Sequence, residues 1–195
     1  LLAQPDPLGW YPLRAAISDH LKVWRGMDCR PEQVIVTGGG RDAIEIICSA
    51  LLGTGQKAAI EDPGWPTLGR TLKLSGIQPV PIRVGDEGLD AGLISDDVSA
   101  IFVTPSRHYP TGVSMPLSGR LALLDMARKS GALIIEDDYD SEFRYRGQPL
   151  PSLSGLDALT CTVYQGSFSK LLSPTLRIGY LVVPERLLGR VDRYV

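Results

Sequence analysis

The chain has little of several things that would mark a class at once: 2 histidines and 3 cysteines in 195 residues. Cys29, Cys48 and Cys161 are odd in number and far apart, each among apolar or ordinary residues. That pattern fits reduced thiols better than a disulfide framework or a metal site. No apolar run reaches the roughly 18 residues of a membrane span. No positively charged start precedes a short apolar core, as a secretory signal would require. The expected compartment is the cytoplasm. Lysine and arginine total 20 against 22 acidic residues, a formal charge of -2 with the signs interspersed. There is no basic stripe to grip nucleic acid and no polybasic run for a membrane surface. What is present, 44% hydrophobic and 22% charged residues, suffices for one large domain with a sizeable core.

Short β-branched runs alternate with longer amphipathic stretches, the pattern of a parallel α/β sheet. Leu13, Ala16, Ile17, Leu21 and Trp24 recur at helical spacing, predicting a helix over 13–25 with those residues on its buried face. Helices are also expected over 43–52, 67–74, 117–129 and from 186 onward. Strands are expected over 34–37, 58–60, 78–84, 100–104, 132–136, 160–165 and 178–183, a count of seven. Asp86-Glu87-Gly88 reads as an exposed turn, and 5–9 as a loop.

Gly38, Gly39 and Gly40 separate the first strand from its helix. Such a turn lets backbone approach a ligand, and the free N–H groups of a helix start favour an anion such as phosphate. It lacks the Gly-Lys-Ser/Thr ending of a Walker loop and the Gly-x-Gly-x-x-Gly of dinucleotide sites. A purely steric turn is the open alternative.

The apolar strand over 132–136 ends in Asp137, Asp138, Tyr139 and Asp140. In an open α/β sheet ligands gather at the carboxyl ends of strands. An ionised carboxylate there can keep a pyridine nitrogen protonated. An acidic loop capping a helix, or a metal cluster, is the alternative, although no histidine stands at ligand spacing. Lys170 lies in Gly166-Ser167-Phe168-Ser169-Lys170, with Arg177 seven positions later. An amine in this setting loses its proton more readily than a solvated lysine and condenses with an aldehyde to a Schiff base. Ser167, Ser169 and Arg177 are groups suited to a phosphate. An aldehyde carrying a phosphate describes pyridoxal 5'-phosphate, the expected cofactor. Taken alone, Lys170 reads as a solvated surface charge; its neighbourhood changes that.

The segment Ser167-Phe168-Ser169-Lys170 followed by Leu176-Arg177-Ile178-Gly179-Tyr180 resembles the lysine segment of fold-type I pyridoxal phosphate enzymes, the aminotransferase class I/II family. Together with Glu61-Asp62-Pro63-Gly64-Trp65, Pro105-Ser106-Arg107-His108-Tyr109-Pro110-Thr111-Gly112 and Asp137-Asp138-Tyr139-Asp140-Ser141-Glu142-Phe143-Arg144-Tyr145, it is most similar to the aminotransferase-like domain of MocR-type regulators of the GntR family. The resemblance implies a three-layer αβα fold on a mainly parallel seven-stranded sheet, the large domain of a pyridoxal phosphate-dependent transferase. It implies that Gly39, Gly40 and Arg41 hold the cofactor phosphate and that Asp137 partners the pyridine nitrogen. Asp138 then faces away, and Tyr139 meets the phenolic oxygen. Trp65 is implied to lie against the ring face; capping the core is the alternative. Tyr109 stands where many family members carry an asparagine on the phenolic oxygen, and Ser106, Arg107 or His108 could supply a donor instead. The implied partners are an amino compound, a second copy of the chain, and DNA only through an N-terminal winged helix-turn-helix lying outside 1–195. Residues 1–195 are thus expected to be the central domain of a longer polypeptide, either a regulator or an aminotransferase.

Overall fold

The computed structural model describes residues 6–140 and 150–195. Eight strands form one sheet in the order β1 (Val34–Thr37), β8 (Gly179–Val182), β7 (Thr162–Ser167), β6 (Leu133–Asp138), β5 (Ala100–Val103), β2 (Lys57–Asp62), β3 (Gln78–Gly85) and β4 (Gly88–Leu89). The strand not included in the expected count of seven is β4. It pairs antiparallel with the end of β3 through Val84↔Leu89, so the turn at Asp86 closes a two-residue hairpin too short to show a period in sequence. Strands β7, β6, β5, β2 and β3 run parallel to one another, while β8 runs antiparallel to both β1 and β7.

Parallel strands must be covered on both faces, which is why Ala100-Ile101-Phe102-Val103 is apolar and buried throughout. On one face α2 (Gly40–Ile46, continued by a wider π-type turn over Ile47–Leu51), α3 (Pro66–Leu74) and α6 (Glu185–Val191) supply Ile44, Leu72 and Leu187. These pack on Ile35, Phe102, Ile135, Val163 and Leu181. On the other, α4 (Leu117–Ser130) and α5 (Leu153–Asp157) cover Ala59, Ile101, Val103 and Ile134, and α1 (Tyr11–Arg25) covers Val34, Tyr164 and Val182. Each large side chain so buried contributes about 1.5–3 kcal/mol. Helix α5 has no counterpart among the expected helices, being too short to carry a helical period.

Helix α1 is turned relative to its expected face. Ile17 and Leu21 are buried as anticipated, but the buried set is completed by Arg14, Ser18 and Arg25, and Trp24 is 59% exposed. Hydropathy places arginines outward; ion pairs to Asp6 and Asp138 bring these two in. The β3 edge is blunted by Pro79 and Pro81. Gln78 N–H donates inward to the Gln56 carbonyl, so the alternate prolines occupy positions whose donors would face outward.

Since β1, β2, β5, β6 and β7 all point the same way, their carboxyl ends and following loops converge on one edge. One of these loops, 104–116, is stapled by the fully buried Arg120. Its guanidinium donates to the carbonyls of Met115 (3.0 Å), Pro151 (2.9 Å) and Pro105 (2.7 Å). Arg120→Met leaves these acceptors without that donor and should lower the unfolding free energy by about 2–4 kcal/mol. A urea-unfolding midpoint equal to the wild type would refute the staple.

Candidate functional site

Strand β6 delivers three consecutive carboxylates to the convergent edge, and alternation sends them to different surroundings. Glu136, fully buried, accepts from the N–H groups of Leu153 (3.0 Å) and Ser154 (2.9 Å) and from the Ser154 hydroxyl (2.8 Å), anchoring the start of α5. Asp138 faces the same side, where Arg25 Nη2 lies 2.8 Å and the Tyr164 hydroxyl 2.7 Å from its Oδ2. Arg25 also donates to Ser106 Oγ at 2.9 Å, so the end of α1 ties β6 to the loop after β5.

Asp137 alone faces the α2 and α3 side. It lies in register with Gln165 on β7, whose Nε2 donates to Oδ1 at 3.1 Å. Both line a gap of about 30 Å³ with Trp65, Glu61, Thr104 and Phe102. Trp65 is half-buried and packs on the core as well as walling this gap. Burial, then the neighbouring Asp138, pushes the Asp137 carboxyl up to about 7. Burial likewise raises Glu61 to about 7, against the pull of its bonds from Thr104 N–H (3.1 Å) and Oγ1 (2.6 Å).

Lys170, Tyr139 and Tyr109 line an adjoining open cleft of about 460 Å³ together with Asp140, Arg107 and His108. Lys170 is exposed. Burial raises Asp140, while Arg107 and Lys170 oppose that shift. The Tyr139 hydroxyl donates to the Arg107 carbonyl at 3.1 Å, and burial, then Asp140, holds the phenol up to about 12. Tyr109 is 45% exposed. Of the three alternative donors beside it, Ser106 is engaged by Arg25 and the His108 ring meets Thr111 Oγ1 at 2.7 Å. Arg107 pairs with Asp140 at 3.1 Å.

At the glycine turn Gly39 adopts φ 105°, ψ -178°, a region only glycine enters without strain. A Cβ on Gly40 would lie 3.1 Å from Gln165 Nε2. The turn therefore abuts the Asp137 site. The Arg41 guanidinium, however, lies on the surface 3.0 Å from Glu45 Oε1, so only its backbone belongs to the turn. Ser167 Oγ accepts from Ser169 N–H at 3.1 Å. Arg177 is exposed, with a left-handed φ of 48°, and its carbonyl lies 3.8 Å from a Cβ built on Gly39. The structure thus gathers Asp137, Trp65 and Gly40 at one cavity and Lys170, Tyr139 and Tyr109 at the next. It leaves the side chains of Arg41 and Arg177 outside both. Residues 141–145 of the acidic motif lie outside the described residues. Glu61, Gln165 and Thr104 escaped the sequence reading. The available signal was a polar residue closing an otherwise apolar strand, as in Ala58-Ala59-Ile60-Glu61 and Thr162-Val163-Tyr164-Gln165.

Residues 4–194 match the family described as aminotransferase class I and II, and the chain belongs to that family. It is 40% identical over 187 residues to the probable rhizopine catabolism regulatory protein MocR of Rhizobium meliloti, an alignment covering 94% of this chain and 37% of that protein. To the pyridoxine biosynthesis transcriptional regulator PdxR of Corynebacterium glutamicum it is 39% identical, covering 90% of this chain and 38% of the other. Among solved structures, the α-aminoadipate aminotransferase LysN of Thermus thermophilus, complexed with N-(5'-phosphopyridoxyl)-L-leucine, superposes with a TM-score of 0.87 at 29% identity. That match covers 98% of this chain and 50% of the other, so the α/β architecture is that of the aminotransferase fold. The chain spans less than half the length of these two regulators.

Two measurements follow from the carboxylate arrangement. Asp138→Ala strands the buried Arg25 charge and should cost about 3–5 kcal/mol in urea unfolding. Asp137→Ala breaks no ion pair and should cost far less. Asp137 and Glu61 have raised folded-state values, so between about pH 4 and pH 7 the folded chain holds protons that the unfolded chain has released. Stability of the ligand-free protein should therefore fall as pH rises through that window, and the fall should be shallower in Asp137→Asn. An identical slope in the variant would count against the raised carboxyl.

Proposed function

We propose that this chain is the pyridoxal 5'-phosphate-binding, amino-compound-sensing domain of a MocR-type transcription regulator of the GntR family. The observation that carries the cofactor assignment is the divergence of Asp137 from Asp138. One carboxylate is consumed by Arg25 and Tyr164, while its neighbour is left facing a cavity under Trp65. The donor set fits the group: a carboxylate for the ring nitrogen, an indole for the ring face and a glycine turn with no side chain in the way. A buried Gln165 Oε1 without a hydrogen-bond partner among the described residues also lies there.

Bound pyridoxal phosphate supplies an aldehyde that takes up an amine and a ring that withdraws electrons from it. In this reading Lys170 is the amine that holds the aldehyde and is released when an amino compound takes its place. Asp137 holds the proton on the ring nitrogen; burial favours its neutral form, and a cationic partner at the ring would favour the carboxylate. Trp65 orients the ring by stacking. Tyr139, with Tyr109 nearby, faces the phenolic oxygen. Ser167, Ser169 and the backbone of Gly39, Gly40 and Arg41 serve the phosphate, and Arg177 joins them by turning inward from its exposed position. A regulator gains from reversible displacement of Lys170 and nothing from completing proton transfer. DNA contact is assigned to an N-terminal domain outside 1–195, and the full protein is read as a cytoplasmic homodimer.

A second reading, a class I/II aminotransferase acting on an amino acid and a keto acid, is favoured by 32% identity over 188 residues to a 2-aminoadipate transaminase of Thermus thermophilus. The full-length protein decides. Its visible absorbance should be fixed by borohydride onto a peptide containing Lys170 and be lost in Lys170→Ala. An unaltered band in that variant removes Lys170 from the role. An amino compound should change the affinity for promoter DNA, with turnover well below about 1 per second. Turnover at or above that rate without DNA binding favours the transaminase.

A further inference from the structure

Asp137 is held by one neighbour that none of the motifs singles out. Gln165 is 3% exposed, lies directly beside Asp137 in the parallel β6–β7 register, and donates from Nε2 to Oδ1 at 3.1 Å. Side chains in register on adjacent parallel strands share a face, so the pairing is built into the sheet. On the amide's other side is the glycine turn. A Cβ on Gly40 would come within 3.1 Å of Nε2, tighter than ordinary van der Waals contact. Nε2 therefore meets both the turn and the carboxylate, and Oε1 is buried without a hydrogen-bond partner among the described residues. Leaving an acceptor so is unfavourable. That cost is sustained by what Nε2 does.

We infer that Gln165 is a positioning residue that fixes the Asp137 carboxylate by occupying Oδ1, leaving Oδ2 as the oxygen presented to a ring N–H. The inference rests on the pyridoxal phosphate reading above for the identity of that ring. The logic is geometric first. A carboxylate at a strand end rotates about χ2 with little hindrance, and a fixed donor on one oxygen selects a single orientation. It is electrostatic second. An amide N–H stabilises the ionised form, the form that can accept a proton-bearing ring nitrogen. Among the described residues, the charged groups acting on Asp137 oppose ionisation: Asp138 and Asp140 on its own segment and Glu61 from β2. Gln165 is the group of this cluster that favours the carboxylate.

The test uses the full-length protein and the variant Gln165→Met, which keeps volume but removes the donor. Affinity is measured for pyridoxal phosphate and for an analogue whose ring nitrogen is replaced by C–H. The variant should bind pyridoxal phosphate about tenfold more weakly, the scale of a hydrogen bond to a charged group, and the analogue within about twofold of wild type. Equal losses on both compounds, or no loss on either, would overturn the inference, because a packing role does not distinguish the ring atoms. A second readout needs no ligand. The Asp137 carboxyl is followed with pH in the stripped protein by infrared difference against Asp137→Asn, and it should titrate higher in Gln165→Met than in wild type. Should that variant not fold, Gly40→Ala, which crowds Nε2, should move the same titration in the same direction. An unmoved titration overturns the inference. If wild type does not bind pyridoxal phosphate, the proposed function fails, and the titration alone decides for or against Gln165.

Discussion

Three adjacent carboxylates cannot share one buried strand end unless each is given its own partners. Isolated buried charge is too costly, and like charges at this spacing repel. The extended backbone resolves this by alternation. Glu136 and Asp138 project to the face covered by α1, α4 and α5, and Asp137 to the face covered by α2 and α3. Much of the local architecture is the set of partners this demands: backbone N–H groups at the start of α5 for Glu136, Arg25 and Tyr164 for Asp138, and Gln165 for Asp137.

Helix α1 thereby becomes part of the site although it contributes nothing to either cavity. Its last residue, Arg25, bonds both Asp138 on β6 and Ser106 in the loop that carries Tyr109. A similar economy holds that loop from beneath. Arg120 serves carbonyls on both of its arms, and Glu61 bonds Thr104, whose hydroxyl in turn accepts from Tyr109 N–H at 3.3 Å. Arginines buried for structure, and not those on the surface at Arg41 and Arg177, thus set the shape of the convergent edge.

Much of the fold was legible because its signals are strong and local. Runs such as Leu133-Ile134-Ile135 and Ala100-Ile101-Phe102-Val103 are apolar on both faces, and helices α1 and α4 end at Gly26 and Gly131 in the left-handed conformation. Short elements escaped. Strand β4 and helix α5 span too few residues to show a period, and both exist because longer neighbours offer them a surface. The face of α1 was misjudged because hydropathy treats arginine as a solvent group, whereas Arg14 and Arg25 enter with their carboxylates.

The residue types of the site, its order along the chain and its placement at strand ends belong to the sequence. Asp137, Tyr139, Lys170 and the glycine turn could be named from it, since a parallel sheet leaves one edge where such residues collect. Which groups consume Asp138 and which hold Asp137 was decided only in three dimensions. Arg25, the β7 pair Tyr164 and Gln165, and Glu61 come from three different elements, distant in sequence from one another, and only strand register and helix packing bring them to β6. The same holds for Arg41, whose neighbour Glu45 one helical turn away draws its side chain to the surface while its backbone stays in the turn. Sequence order specifies which groups are available; competition for partners in the packed structure specifies which of them are left free.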